Sequence, residues 1–237
     1  STSEGWKGWD EYAPFYDWDN ARTLGRRDVG YWRRVVREES ARTLELGCGT
    51  GRLLMPMART GVPMIGIDRS APMLARASER ARRLRRDHRP AVVRGDIRQL
   101  PFPDRSFGVV MAPYGLLQSL LREQDLRHTL LDVARVLPTG GLLGIDLVPD
   151  LASWADYHRK VSLQGRGPAG GTVTLIESVR QDRRKRLTIF DEEFIERRGR
   201  VVSRHTFSLT FRTLTAPEMC ERLEDAGFRV ESLAGSY

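Results

Sequence analysis

From position 42 onward, short apolar runs alternate with stripes of apolar residues at helical spacing. Thr43–Leu46 predicts a strand that ends in a cluster of glycines, and Leu53–Arg59 predicts a helix stopped at Gly61, a residue suited to a left-handed C-cap. Pro63–Ile67 predicts a second strand, closed by Asp68. Ser70 offers an N-cap and Pro72 suits a first helical turn. The helix they open runs to about Arg86, with Met73, Leu74, Ala77, Ala81 and Leu84 on one face. Ala91–Val93 and Phe107–Ala112 read as third and fourth strands. Glu123–Leu137 reads as a helix ended by Pro138-Thr139-Gly140-Gly141, and Leu142–Leu147 as a fifth strand. Strands separated by helices argue for a parallel sheet with helices on both faces, an α/β, Rossmann-like, doubly wound core.

Both flanks break this rhythm. The N-terminal stretch is aromatic and charged (Trp6, Trp9, Tyr12, Phe15, Tyr16, Trp18), and Arg22–Glu39 predicts a helix carrying Leu24, Val29, Trp32, Val35 and Val36 among its charges. After Asp150, Leu151–Lys160 has a helical pattern and Gly165–Gly171 reads as a mobile loop. Three strand-like runs follow, Thr172–Gln181, Leu187–Arg197 and Arg200–Phe211, joined by links short enough for hairpins. They predict an antiparallel three-stranded insertion after strand five. Thr215–Ala226 returns to helix and Phe228–Leu233 predicts a sixth strand. The organisation is then residues 1–40 as an N-terminal helical lid, 41–150 as the core, 151–213 as an insertion capping the site and 214–237 as a return to the core, one structural domain overall.

Composition narrows the class. The 237 residues carry 39 Lys and Arg against 31 Asp and Glu, a net charge of +8, and 36 of the 39 cations are Arg. Acidic residues are interleaved with them almost everywhere, which argues for solvated helix faces rather than a nucleic-acid surface. No apolar run approaches the ~20 residues that cross a bilayer, and Ser1–Trp9 lacks the apolar centre of a signal peptide. A cytoplasmic protein without membrane contact is expected. Cys48 and Cys220 stand far apart with no CxxC or histidine partner, so neither a disulfide framework nor a metal site is expected.

The sharpest signal is Leu44-Glu45-Leu46-Gly47-Cys48-Gly49-Thr50-Gly51-Arg52, a strand running into three alternate glycines ahead of a helix. Glycine permits the tight turn and lets a ligand approach the backbone. A dinucleotide fingerprint requires G-x-G-x-x-G, whereas Arg52 occupies the place of its third glycine. The stretch instead resembles the first motif of the class I S-adenosylmethionine (SAM)-dependent methyltransferases. Gly66-Ile67-Asp68-Arg69-Ser70, Gly95-Asp96-Ile97, Val109–Ala112 with Tyr114-Gly115-Leu116-Leu117, and Leu137-Pro138-Thr139-Gly140-Gly141 resemble that family's later motifs, in its order. The likeness covers about residues 41–148.

The resemblance implies a cofactor site. Gly47, Cys48, Gly49 and Gly51 would carry the methionine end of SAM, with Glu45 orienting the loop. Asp68 would accept the ribose hydroxyls, as a carboxylate can accept both. Arg69, Met73, Asp96 and Ile97 would surround adenine, and Ala112 and Pro113 would lie beside the sulfonium. Tyr16 would cover that sulfonium as part of the lid, and Arg27 would meet the SAM carboxylate. Methyl transfer is an in-line displacement that needs alignment and exclusion of water. A base is needed only where the acceptor must lose a proton. Tyr16, Tyr114, His205 and Glu177 are the candidates for such work, and none is assigned. The family fold also ends in a seventh, antiparallel strand, and this sequence stops at Ala234-Gly235-Ser236-Tyr237 directly after the sixth, so the seventh strand is expected to be missing.

The insertion and the lid point to a small-molecule acceptor for N- or O-methylation, with S-adenosylhomocysteine (SAH) as product. An N-P-P-Y or D-P-P-Y motif of nucleic-acid amino methylation is absent, as Ala112-Pro113-Tyr114-Gly115 stands in its place. The alternatives are an RNA methyltransferase, a nicotinamide-dependent oxidoreductase of the same architecture, and a non-catalytic SAM-binding protein. The oligomeric state is left open.

Overall fold

The computed structural model describes residues 9–23, 27–148, 156–168 and 170–235, without the side chains of residues 9, 23 and 27. It divides into two compact units. The first comprises 1–25, 118–121 and 148–213, and the second 26–117, 122–147 and 214–237.

The second unit holds a five-stranded parallel sheet: β1 (Thr43–Leu46), β2 (Met64–Asp68), β3 (Ala91–Arg94), β4 (Val109–Ala112) and β5 (Leu142–Ile145), in the order β3-β2-β1-β4-β5. β1 pairs Leu44 with Ile65 on one side and with Val110 on the other. The order reverses between β1 and β4. In an open parallel sheet, that reversal leaves a crevice beyond the carboxyl ends of the two central strands. β1 and β4 are buried throughout, as strands covered on both faces must be. Helices α2 (Arg27–Glu39), α3 (Leu54–Ala58), α4 (Ala71–Arg82), α5 (Glu123–Val136) and α6 (Ala216–Asp225) complete the unit. Trp32, Val36, Leu54, Met57, Leu74, Ala77, Val109 and Met111 share one apolar core. Gly144 is required on β5, because a Cβ there would stand 2.6 Å from the Trp32 ring.

The helix ends follow the sequence signals. The Ser70 side chain accepts from the Met73 N–H at the start of α4. Thr215 and Glu218 form a full capping box on α6. One expectation fails here. Residues 228–234 form no strand, so the predicted sixth strand is absent, and the parallel sheet holds five strands among the described residues. The alternation of Phe228-Arg229-Val230-Glu231 mimics a strand, but Val230 is only partly buried between exposed neighbours, and Leu233 beyond it is 70% exposed.

The first unit holds helix α1 (Trp9–Thr23) and a four-stranded antiparallel sheet, β6 (Tyr157–Arg166), β7 (Thr172–Asp182), β8 (Leu187–Arg198) and β9 (Val201–Arg212), in sequential order. The three strands expected there are β7 to β9. The fourth, β6, corrects the helical reading of Leu151–Lys160: residues 151–155 lie outside the described set, and Tyr157 onward is strand. It also takes Gly165 and Arg166 out of the expected loop. Rings of α1 pack on the sheet, with Phe15 stacked on Phe194 at 4.6 Å and Tyr12 5.2 Å from Phe207. No helix among the described residues is long and apolar enough to cross a membrane.

Candidate functional site

The sequence-predicted residues of the second unit converge on the carboxyl ends of its strands, at the crevice defined above. Leaving β1, the chain turns through Gly47, Gly49 and Gly51 at φ 57°, 51° and 80°, a left-handed region in which other residues are strained. A Cβ at Gly47 would come within 2.6 Å of Leu116, and one at Gly51 within 2.7 Å of Met55. The turn is tied down by Cys48 N–H to Ile67 C=O and by Gly51 N–H to Cys48 C=O, at 3.0 and 2.8 Å. The Cys48 side chain points inward: a Cβ on Gly66 would be 2.6 Å from its Sγ. Burial, with Glu45 and Asp68 nearby, pushes that thiol up, so it is inert at neutral pH.

Asp68, the last residue of β2, accepts a hydrogen bond from the Gly49 N–H at Oδ2 (2.9 Å) and from the Ser70 N–H at Oδ1 (2.8 Å). Its carboxylate therefore links the glycine turn to the start of α4, and a carboxylate oxygen can accept further bonds beyond these. Arg69 and Asp96 pair at 3.3 Å. Arg98 binds Asp96 through its guanidinium at 2.7 Å and its backbone N–H at 3.0 Å. Partial burial alone would raise the Asp96 carboxyl, but the Arg98 bonds and the Arg98 and Arg69 charges outweigh it and hold it below the ordinary carboxylate range. Asp96 is thus a charged, clamped group. Ile97 beside it is buried, and Met73 is fully buried within α4.

Glu45 lies beneath the turn, 3% exposed, with Oε2 lacking a hydrogen-bond partner among the described residues. Burial first, then Asp68 and Asp28, raise its carboxyl from 4.5 to about 8 against the pull of Arg52. Arg52 grips Asp28 in a two-pronged ion pair, of which the Nη1–Oδ1 bond is 2.9 Å. Arg27 opens α2 one residue earlier, and its side chain lies outside the described set.

At the end of β4, Ala112 and the Pro113 that follows it are buried, while Tyr114 is 39% exposed with a left-handed φ of 57°. For a bulky residue that conformation costs about 1–2 kcal/mol and must be held in place. Asp146, just past β5, holds it: its Oδ2 accepts from the Tyr114 N–H at 3.2 Å and from Trp32 Nε1 at 3.2 Å. Sequence reasoning missed Asp146, Arg52 and Arg98. For Asp146 a signal existed, since Ile145-Asp146 closes a strand as Ile67-Asp68 does.

Three remaining candidates lie in the first unit. Tyr16 on α1 meets Tyr12 edge-on at 5.9 Å. His205 on β9 is 4.9 Å from the Phe15 ring, with Nε2 4.0 Å from Glu196. Glu177 on β7 is bonded by the hydroxyls of Tyr157 and, at 3.3 Å, Ser162. Burial and then the Asp19 charge raise the Glu177 carboxyl. Among the described residues no cluster of metal-ligating side chains exists.

Comparison with known proteins adds the following. Residues 43–141 match a family described as a methyltransferase domain. The 27-O-demethylrifamycin SV methyltransferase of Amycolatopsis mediterranei (strain S699) is 36% identical over 130 residues, 53% of this chain and 46% of that protein. The demethylmenaquinone methyltransferase of Tropheryma whipplei (strain Twist) is 33% identical over 147 residues, 60% of this chain and 58% of that protein. The chain thus spans about half the length of these curated relatives. Among solved structures, the sugar N-methyltransferase KedS8 from Streptoalloteichus sp ATCC 53650 superposes with a TM-score of 0.76 at 23% identity, over 90% of this chain and 83% of that one.

Proposed function

We propose that the chain is a member of the class I SAM-dependent methyltransferase superfamily and that it moves the methyl group of SAM to a small-molecule acceptor. The observation that carries this reading is Asp68, the carboxylate at the end of β2, tied to the glycine turn through the Gly49 N–H beside the point where the strand order reverses.

The residues suit the donor. Glu45 Oε2 is a buried acceptor without a partner among the described residues, under a backbone that only glycine can form. A cationic group at the turn would complement it. Gly47, Cys48, Gly49 and Gly51 take the amino-acid end in this reading, with Arg27 toward its carboxylate, and Asp68 accepts from the ribose. Ile97 and the Arg69–Asp96 pair border adenine, with Met73 behind them as packing. Ala112 and Pro113 border the sulfonium. Bound SAM supplies an activated methyl group whose leaving thioether is neutral, so the protein's task is alignment and the exclusion of water. Tyr16 is the lid residue of this reading, and Tyr114, held by Asp146, is the residue positioned to orient an acceptor. N- or O-methylation, a cytoplasmic location and the division into lid, core, insertion and return belong to the same proposal.

Calorimetric titration with SAH tests the donor site, and a metabolite screen with methyl-labelled SAM tests transfer. SAH binding with labelled product is the expected result. NAD(P)H binding without SAH binding would refute the reading, and tight RNA binding with a steep salt dependence would replace the small-molecule acceptor.

A further inference from the structure

The inner face of the antiparallel sheet carries charges that packing alone does not explain. Glu177 on β7 and Glu192 on β8 stand directly opposite one another, and Phe207 is opposite Glu192 on β9. Like charges in directly opposed positions destabilise a sheet. Asp19, on α1, is close enough to raise both carboxyls. Among the described residues no Lys or Arg charge acts on Glu177 or Glu192. Lys160, opposite Glu177 on β6, is exposed and lies over the Tyr157 ring at 5.6 Å.

Glu192 is 5% exposed, and its Oε2 has no hydrogen-bond partner among the described residues. The Tyr12 hydroxyl donates to Asp19 Oδ2 at 3.0 Å and is also within reach of Glu192. One hydroxyl carries one proton and serves one of them at a time. The Tyr157 and Ser162 hydroxyls are directed at Glu177. Glu192 Oε2 is therefore a buried acceptor short of a donor, and the Tyr12 and Phe207 rings, packed on one another with centroids 5.2 Å apart, supply an apolar wall beside it. A group with several N–H donors, a positive charge and an apolar body matches all three properties.

We propose that this cluster binds a protonated amine, with the ammonium donating to Glu192 Oε2, Glu177 and Asp19 supplying charge, and Tyr12 and Phe207 covering the carbon next to nitrogen. The site lies wholly within the first unit. Only the further step, that this amine is the methyl acceptor, rests on the reading of the preceding section.

The test uses the full chain and two probes of equal shape, cyclohexylammonium chloride and cyclohexanol, titrated at neutral pH by saturation-transfer NMR. The ammonium is expected to bind at least about tenfold more tightly than the alcohol. Glu192→Gln, nearly isosteric, should lose that preference while SAH affinity, measured on the same sample, stays unchanged. Equal binding of the two probes, no binding of either, or an unaltered preference in Glu192→Gln would overturn the site in favour of a proton held by Glu192 itself. Amine binding without SAH binding would leave the amine site standing and refute the donor site, and the reverse result would do the opposite.

Discussion

Replacing Asp68 by Ala removes two kinds of contact at once. Within the protein, the Gly49 and Ser70 N–H groups lose acceptors at 2.9 and 2.8 Å. Bonds to a charged acceptor are worth about 1.5–3 kcal/mol each, less what water recovers at this partly buried site. The folded state should therefore lose roughly 1–3 kcal/mol, read from urea denaturation without ligand. In the proposed donor site, the ligand would lose its carboxylate partner for the ribose hydroxyls. If one charge-assisted bond disappears from the complex, SAH affinity falls by about tenfold to a hundredfold. Calorimetry on the folded variant separates the two losses, since the stability term concerns the unliganded chain. Asp68→Asn provides the control: its amide oxygen can keep one N–H contact, so it should recover part of the stability but little of the affinity. A folded Asp68→Ala that binds SAH as tightly as the parent would remove Asp68 from the site, and with it the observation on which the donor reading stands.

Other outcomes follow from the same geometry. Glu45 has a folded-state carboxyl raised to about 8 from 4.5, so it holds a proton that the unfolded chain has released. Its contribution to stability is complete below pH 4.5 and is lost as pH rises toward 8, at up to about 1.4 kcal/mol per pH unit. Glu45→Gln should flatten that part of the stability profile, and an unchanged slope in denaturation at pH 5 to 8 would refute the assignment. Arg52→Ala strands the Asp28 carboxylate, whose side chain is 5% exposed, and should cost about 3–5 kcal/mol in the same assay. A cost under about 1 kcal/mol would mean that water reaches Asp28. Thr215→Ala breaks the α6 capping box and should cost about 1 kcal/mol, with SAH affinity unchanged.

The parallel core was legible because each of its elements is punctuated locally. Ser70-Ala71-Pro72, Gly61 and Thr215 with Glu218 mark helix ends by chemistry that needs no distant partner. The glycine turn was legible for the same reason, three left-handed positions in five residues. What escaped the sequence depends on contacts between distant residues. β6 does not alternate cleanly: its ladder to β7 slips between Tyr157 and Lys160 and again between Val161 and Leu163, so its polar residues mimic a helical spacing. Residues 228–231 alternate, yet among the described residues no neighbouring strand receives them. In the site, Arg52 and Asp28 are 24 residues apart, and Trp32 and Asp146 are 114 apart. Neither pairing leaves a trace in local pattern. The acidic face of the antiparallel sheet was invisible for the same reason, since only the β7–β8 register sets Glu177 against Glu192.

The slips in β6 also affect how copies of this protein meet one another in solution. β6 is the outermost strand on its side of the described antiparallel sheet, so its unpaired edge faces away from β7. A straight edge of that kind is a template on which a second copy can lay a strand and begin to aggregate. Here Arg159 takes a φ of 50° within the first of these slips, and His158, Arg159 and Lys160 are all exposed. An incoming strand would meet a backbone out of register and two exposed cations, Arg159 and Lys160, and could form only a few consecutive bonds before the match failed. The irregularity that hid this strand from sequence reading is the same one that would oppose its recruiting neighbours.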